Sequence, residues 1–251
     1  LGPAAWRLAN PAQTDGVATA AATALSCDAA FVPEGRRMAD FRLLVMDMDS
    51  TLITIECIDE IADMVGVKPQ VAAITASAMR GEIPFSESLR RRVGLLEGLE
   101  ESALQRVYDE RLRLSPGAEA LLATTRQAGI KSLLVSGGFT FFTGRLQERL
   151  GLDFTLANTL EIVGGKLTGR VLGDIVDATA KAEKVKAVCT ELGIATGQTI
   201  VIGDGANDLE MMAVAGVSVA YRAKPVVQAK ATLGARSIAI LARVLGDLDL
   251  A

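Results

Sequence analysis

Short unbroken apolar runs recur along the chain from residue 41 onward, at Leu43-Leu44-Val45-Met46, Ser132-Leu133-Leu134-Val135, Thr199-Ile200-Val201-Ile202 and Val217-Ser218-Val219-Ala220. Runs this short and this continuous suit strands buried on both faces. Between them the apolar positions fall at helical spacing, over residues 118–127, 141–150, 181–192 and 208–215. Strand and helix therefore alternate, which predicts a doubly wound parallel sheet of the α/β class. Residues 158–163 and 166–171, separated by Gly164-Gly165, read as a β-hairpin with a primed turn. One stretch breaks the alternation. Residues 54–114 are too long for a crossover and carry only helical patterns, such as Ile58, Ile61, Val65 and Phe85, Leu89, Val93, Leu96. They are predicted to form a helical cap inserted over the sheet.

The chain thus divides into an N-terminal segment (1–40), an α/β core (41–53 and 115–251) and the cap (54–114). Residues 1–40 are rich in Ala, carry loop signals at Asn10-Pro11, Asp15-Gly16, Pro33 and Gly35, and hold one candidate helix over 17–25. The chain starts at Leu1 rather than Met, as a fragment or trimmed chain would, and one reading of this segment is the remnant of a regulatory domain. A secretory signal is not expected, because Arg7 is the only early cation and Thr19, Thr23 and Ser26 interrupt the apolar stretch.

Composition narrows the chemistry. With 251 residues, 50% of them hydrophobic and 22% charged, the chain can bury a substantial core. A formal charge of -4 gives no basic field for a nucleic acid, and no uninterrupted apolar window reaches the ~18 residues of a membrane span. The absence of histidine (His 0) removes every imidazole-based nucleophile, base and metal site, leaving carboxylates, Lys, Tyr or Cys for proton transfer. Cys27, Cys57 and Cys189 are widely spaced and form no C-x-x-C pair, which suits buried thiols in a reducing, cytoplasmic setting. Neither G-x-x-x-x-G-K nor G-x-G-x-x-G occurs.

Three of the predicted strands end in compact polar turns: Asp47-Met48-Asp49-Ser50-Thr51, Ser136-Gly137-Gly138 and Gly203-Asp204-Gly205-Ala206-Asn207-Asp208. In an open parallel sheet the carboxyl ends of neighbouring strands share one crevice. Four carboxylates would meet there, and an all-oxygen cluster of that kind calls for a hard cation such as Mg²⁺. Helix capping explains one such turn but not three on the same edge. Farther along, the helix expected from Pro84 places Arg92 on its apolar stripe, at i+3 from Leu89 and i+7 from Phe85, whereas Arg91 follows Glu87 by four as a surface pair. A guanidinium on an apolar stripe needs an anionic partner.

The Asp47-Met48-Asp49-Ser50-Thr51 run resembles the D-x-D-x-T signature of the haloacid dehalogenase superfamily, and Ser136, Lys181 and 203–208 resemble its later motifs in order. The resemblance is closer still to the phosphoserine phosphatase family, through Glu56, 58–61, Ser88-Leu89-Arg90 and Val135 to Phe139, and covers residue 41 to the C-terminus. It implies a Rossmann-like core, hydrolysis of O-phospho-L-serine to L-serine and phosphate, and a place at the last step of serine biosynthesis. It further implies Asp47 as nucleophile through an aspartyl-phosphate and Asp49 as acid and base. Mg²⁺ would be held by Asp47, the Asp49 carbonyl, Asp204 and, nearby, Asp208. Ser136, the Gly137 N–H, Lys181 and Asn207 would meet the phosphoryl group, although Lys181 precedes Ala182 where relatives often have Gly. Glu56 would take the substrate ammonium, Arg92 its carboxylate, and Met79 and Phe85 would wall the pocket. A homodimer is left open. The alternative within the superfamily is phosphoryl transfer to an alcohol such as homoserine, or hydrolysis of another small amino phosphate.

Overall fold

The structure is a computed structural model that describes residues 37–235. The helix expected over 17–25, and Cys27, lie outside these residues. Strands β1 (Leu43–Met46), β2 (Lys131–Phe139), β3 (Phe154–Val163), β4 (Lys166–Leu172), β5 (Thr199–Gly203), β6 (Val217–Tyr221) and β7 (Leu233–Ala235) form one sheet in the order β4-β3-β2-β1-β5-β6-β7. Every neighbouring pair is parallel except β3 and β4. The chain runs outward from β1 to one side through β2 to β4, then returns to fill the other side. β1 therefore lies at the reversal of strand order, between β2 and β5, where such sheets open a crevice.

The central strands are buried throughout because both faces are covered. Alternate side chains serve opposite cores. Leu43 and Val45 join Leu133, Val135, Val201 and the inner face of α7 (Ala178–Leu192), at Val185 and Val188. Leu44 and Met46 face the other way with Leu134, Ile200 and Ile202. That second core continues into residues 54–114.

These residues form α1 (Cys57–Met64), α2 (Lys68–Met79), α3 (Phe85–Gly94) and α4 (Ser102–Arg106), the last running into a wider turn at Val107–Arg111. Ile58, Ile61, Leu89, Val93 and Leu96 are buried as their spacing predicts. Val65 is not, because it caps the end of α1 and is 38% exposed. The stretch leaves and rejoins the sheet at one neck, where Ile53 bridges Leu114, the Thr54 N–H donates to the Arg113 carbonyl (2.9 Å) and the Ser115 N–H to that of Leu52 (2.9 Å).

The hairpin is present, with Val163 opposite Lys166 and both turn glycines at positive φ, 58° and 77°, as a primed turn requires. It does more than close an edge. The Gly98 N–H donates to the Leu167 carbonyl, the Leu167 N–H to that of Leu99 and the Glu101 N–H to that of Gly165, each at 2.8 Å. Lys166 adds an ion pair to Glu100 at 3.1 Å. The helical stretch is thus laced along β4 as well as held at the neck.

After β1, α5 (Ala118–Gln127), α6 (Thr140–Leu150) and α7 match the predicted helices, with α6 one residue and α7 three residues longer at the N-terminus than the pattern suggests. The helix expected over 208–215 is shorter, as α8 (Leu209–Ala213), because Ala206–Asp208 forms a tighter turn first. A further short helix, α9 (Pro225–Gln228), and β7 follow without having been anticipated. The first half of β3 also escaped prediction: Phe154 to Ala157 are only half-buried, so they show no continuous apolar run.

Candidate active site

Asp47 directly follows β1 and continues its pairing, its N–H donating to the Ile202 carbonyl at 3.0 Å. The chain then folds through a wide turn at Met48–Leu52, with Ser50 in the left-handed region at φ 56°. The reversal brings the Thr51 hydroxyl to Asp204 Oδ1 at 2.9 Å, linking the turn after β1 to the turn after β5. Asp49 is held from two sides. Its Oδ1 accepts from the Cys57 N–H at 2.8 Å, at the start of α1, and its Oδ2 lies 3.4 Å from the Ser136 hydroxyl near the C-terminal end of β2. The Ser136 oxygen in turn accepts from the Gly138 N–H at 2.8 Å. Gly138 must lack a side chain here, since a methyl would sit 2.7 Å from Asp49 Oδ2 and 3.0 Å from Ser136 Oγ.

Lys181 is the centre of the charge arrangement. Only 1% exposed, its ammonium bonds Asp47 Oδ1 at 2.7 Å and Asp208 Oδ1 at 2.8 Å. The other Asp208 oxygen accepts from the backbone N–H groups of Asp204 (3.1 Å) and Gly205 (3.0 Å), so this carboxylate locks the turn after β5 to the lysine. Asn207 lies in that turn, half-buried, its amide packed against Gly205.

Four carboxylates therefore surround one ammonium, and the electrostatics reflect the imbalance. Burial, then Asp208, push Asp47 well above the usual carboxylate range against the pull of Lys181. Burial also raises Asp49, opposed by the hydrogen bond from Cys57. Asp204 is pushed up to about 6, by burial first and Asp208 second. Burial works to discharge Lys181, but Asp208 and Asp47 outweigh it and hold the ammonium above the ordinary lysine range. Desolvated, mutually repelling carboxylates of this kind are what a bound cation relieves. Asp47, Asp204 and Asp208 each offer an oxygen, all within 4.8 Å of one another, and the set contains oxygen donors alone. It fits a hard metal ion.

The helical stretch meets this centre from above. Phe85 on α3 lies against the C-terminal end of β2, for a methyl on Gly137 would stand 3.0 Å from its ring. Arg92, two turns along the same face, is half-buried. Burial lowers its pKa against the opposing charges of Asp59, Glu56 and Asp49, and Nε donates to the Ser88 carbonyl at 3.3 Å. Arg91 instead pairs with Glu87 at 2.7 Å on the surface. Glu56 precedes α1 at the rim, with one side open to solvent, and accepts from the Ser50 hydroxyl at 2.6 Å. The packing about its carboxylate, and then Asp49, push it up to about 7. Met79 is the residue least like its expected role: it ends α2 at the mouth, 64% exposed, with its sulfur 3.9 Å from Lys224 Nζ.

Two participants went unread in the sequence. Thr51 was visible only as part of a motif, although it joins two catalytic-side turns. Asn158, 1% exposed on β3, donates from Nδ2 to the Gly137 carbonyl at 2.8 Å and accepts at Oδ1 from the Val176 N–H at 2.8 Å. A lone Asn in an alternating strand carries no local sign of such a role.

The profile of the haloacid dehalogenase-like hydrolase family matches residues 44–213. The chain is 54% identical over 200 residues to a phosphoserine phosphatase of Polaromonas sp., a match spanning 78% of this chain and 85% of the relative. It is 53% identical over 206 residues to that of Albidiferax ferrireducens, across 80% of this chain and 87% of the relative. The solved structure of a substrate-bound phosphoserine phosphatase superposes with a TM-score of 0.75 at 36% identity, covering 81% of this chain and 97% of that one. With the acids after β1 and β5, the hydroxyl near the end of β2 and the buried lysine of α7 all inside the matched span, the chain belongs to the phosphoserine phosphatase family of haloacid dehalogenase-like hydrolases and is a phosphoric monoester hydrolase.

Proposed function

We propose that this enzyme hydrolyses O-phospho-L-serine to L-serine and phosphate through an aspartyl-phosphate on Asp47, as the last step of serine formation. The observation that supports this best is the pairing of two buried carboxylates with different partners, Asp47 on the Lys181 ammonium and Asp49 beside the Ser136 hydroxyl. In the first step an Asp47 oxygen attacks phosphorus, the bond from phosphorus to the serine oxygen breaks, and Asp49 gives its proton to the leaving alkoxide. The burial that raises Asp49 suits it to begin protonated. In the second step Asp49 takes a proton from water, the water oxygen attacks phosphorus, and the bond to Asp47 breaks to release phosphate.

Ser136, the Gly137 N–H and Lys181 would orient the phosphoryl oxygens, with Asn207 alongside. Mg²⁺ would be held by the Asp47 and Asp204 carboxylates and the Asp49 carbonyl, with Asp208 bracing Lys181 and the turn behind them, and when bound would neutralise phosphoryl charge. The covering helices exclude bulk water from the acyl phosphate. Glu56 and Arg92, opposite in charge, would take the ammonium and carboxylate of the substrate, with Phe85 as wall and Met79 at the entrance. A cytoplasmic site of action is part of this reading, supported by Cys57 and Cys189, both buried free thiols.

The test is phosphate release from L-phosphoserine beside phosphothreonine, phosphoethanolamine and p-nitrophenyl phosphate. The expected result is a strong preference for L-phosphoserine, lost in EDTA and restored by Mg²⁺. Equal rates on all four substrates would overturn the specificity assignment, and full activity in EDTA the metal assignment. Arg92→Ala should raise KM for L-phosphoserine by about 10²-fold, the scale of one lost charge-assisted contact, while sparing p-nitrophenyl phosphate. An equal loss on both substrates would show that Arg92 supports the fold of the pocket rather than the carboxylate.

A further inference from the structure

The C-terminal part of β2 departs from its neighbouring strand in a way that one buried side chain repairs. Val135 pairs with Leu156 and Phe139 with Asn158, so four steps along β2 correspond to two along β3. The intervening residues, Ser136 to Gly138, stand opposite Ala157 alone and bulge out of the ladder toward Asp49, which is how bulges re-aim groups beside an active site. A bulge also strips backbone groups of their strand partners, and a buried amide or carbonyl left so is costly. Asn158 sits where the ladder resumes. Its carboxamide donates to the Gly137 carbonyl on one side and accepts from the Val176 N–H on the other, both at 2.8 Å.

Val176 belongs to a different part of the site. The next residue, Asp177, caps α7 by accepting from the Ala180 N–H at 2.9 Å, and α7 carries Lys181. One buried amide therefore ties the bulge bearing Ser136 and Gly137 to the start of the helix bearing Lys181. We propose that Asn158 is a positioning residue that sets the spacing between these two phosphate-binding elements, acting through the Gly137 carbonyl and the Val176 amide without touching substrate. No other residue type of this size offers a donor and an acceptor in one rigid plane without charge. Leu or Thr would fill the strand equally well, so burial alone does not explain it.

The proposal rests on the phosphatase reading of the pocket, which phosphate release by the wild-type enzyme tests independently. Asn158→Ala is compared with wild type below the melting temperature of both, using L-phosphoserine, p-nitrophenyl phosphate and inhibition by orthovanadate, a phosphate mimic without an amino-acid moiety. Since misplacements near 1 Å cost about 10²-fold, kcat/KM should fall by roughly 10- to 100-fold on both substrates, with vanadate inhibition weakened in parallel. A folded variant whose kcat/KM and vanadate inhibition stay within about twofold of wild type would leave Asn158 merely structural and overturn the proposal. So would a loss confined to L-phosphoserine, which would place its influence under the covering helices instead. If Asn158→Ala does not fold, Asn158→Asp carries the test by the same criteria, because it keeps the acceptor toward Val176 and loses the donor toward Gly137.

Discussion

Asp47→Asn is expected to abolish phosphate release from L-phosphoserine, a loss on the order of 10⁴-fold or more, while leaving the protein folded. The amide has the size of the carboxylate but is not a nucleophile that can form the acyl phosphate, so the covalent step is lost. Stability should change little, because two effects oppose one another. Lys181 loses one of its two carboxylate partners, yet the repulsion of Asp47 by Asp208 disappears as well. A steady-state assay paired with thermal unfolding decides it. A variant that stays folded and turns over near the wild-type rate would remove Asp47 as nucleophile.

Lys181→Met should do damage of a different kind, striking stability and activity together. Methionine fills the same space along α7 but leaves Asp47 and Asp208 buried without their shared cation. Removing one partner from a buried ion pair costs about 3–5 kcal/mol, a large part of the stability of a domain. The penalty should depend on pH. Lys181 is what lowers Asp47 against burial and Asp208, so its removal lets the folded-state pKa rise further above the unfolded value. The native state then binds more protons than the unfolded chain, and stability falls as pH rises through that interval. Metal-free Lys181→Met should therefore be less destabilised in mild acid than at neutral pH, by urea unfolding across pH. A uniform loss at all pH values would mean that the lysine is not the counter-charge of Asp47.

The central sheet was legible because buried parallel strands announce themselves. Leu43 to Met46 and Thr199 to Ile202 must be apolar at every position to serve two cores, and no surface segment has that constraint. The hairpin was legible for a similar reason, since two successive residues at positive φ call for Gly164-Gly165. Strand β7 and the first half of β3 were not, for their pairing is decided by neighbours far away in sequence rather than by their own pattern. The same divide runs through the site. Asp47, Asp49, Ser136, Asp204 and Asp208 stand at strand ends, where topology alone brings them together. Lys181 stands on a helix with Lys184 and Lys186, and only packing separates it, buried and paired, from Lys186, which pairs with Glu183 at the surface. Asn158 and Thr51 act on partners 21 and 153 residues away, distances over which no local signal operates.

The lacing of the helical stretch along β4 constrains how molecules come and go. Its backbone attachments lie at the neck, through Thr54 and Ser115, and along the hairpin, through Gly98, Leu99 and Glu101. The start of α1 is held as well, through the Cys57 N–H on Asp49, whereas α2 ends at the exposed Met79. Across from it stands Lys224, whose ammonium donates a long contact to the thioether sulfur. Any opening of the helical stretch is therefore expected on the side of Met79 and Lys224, with the hairpin, though remote from the chemistry, as the fixed side.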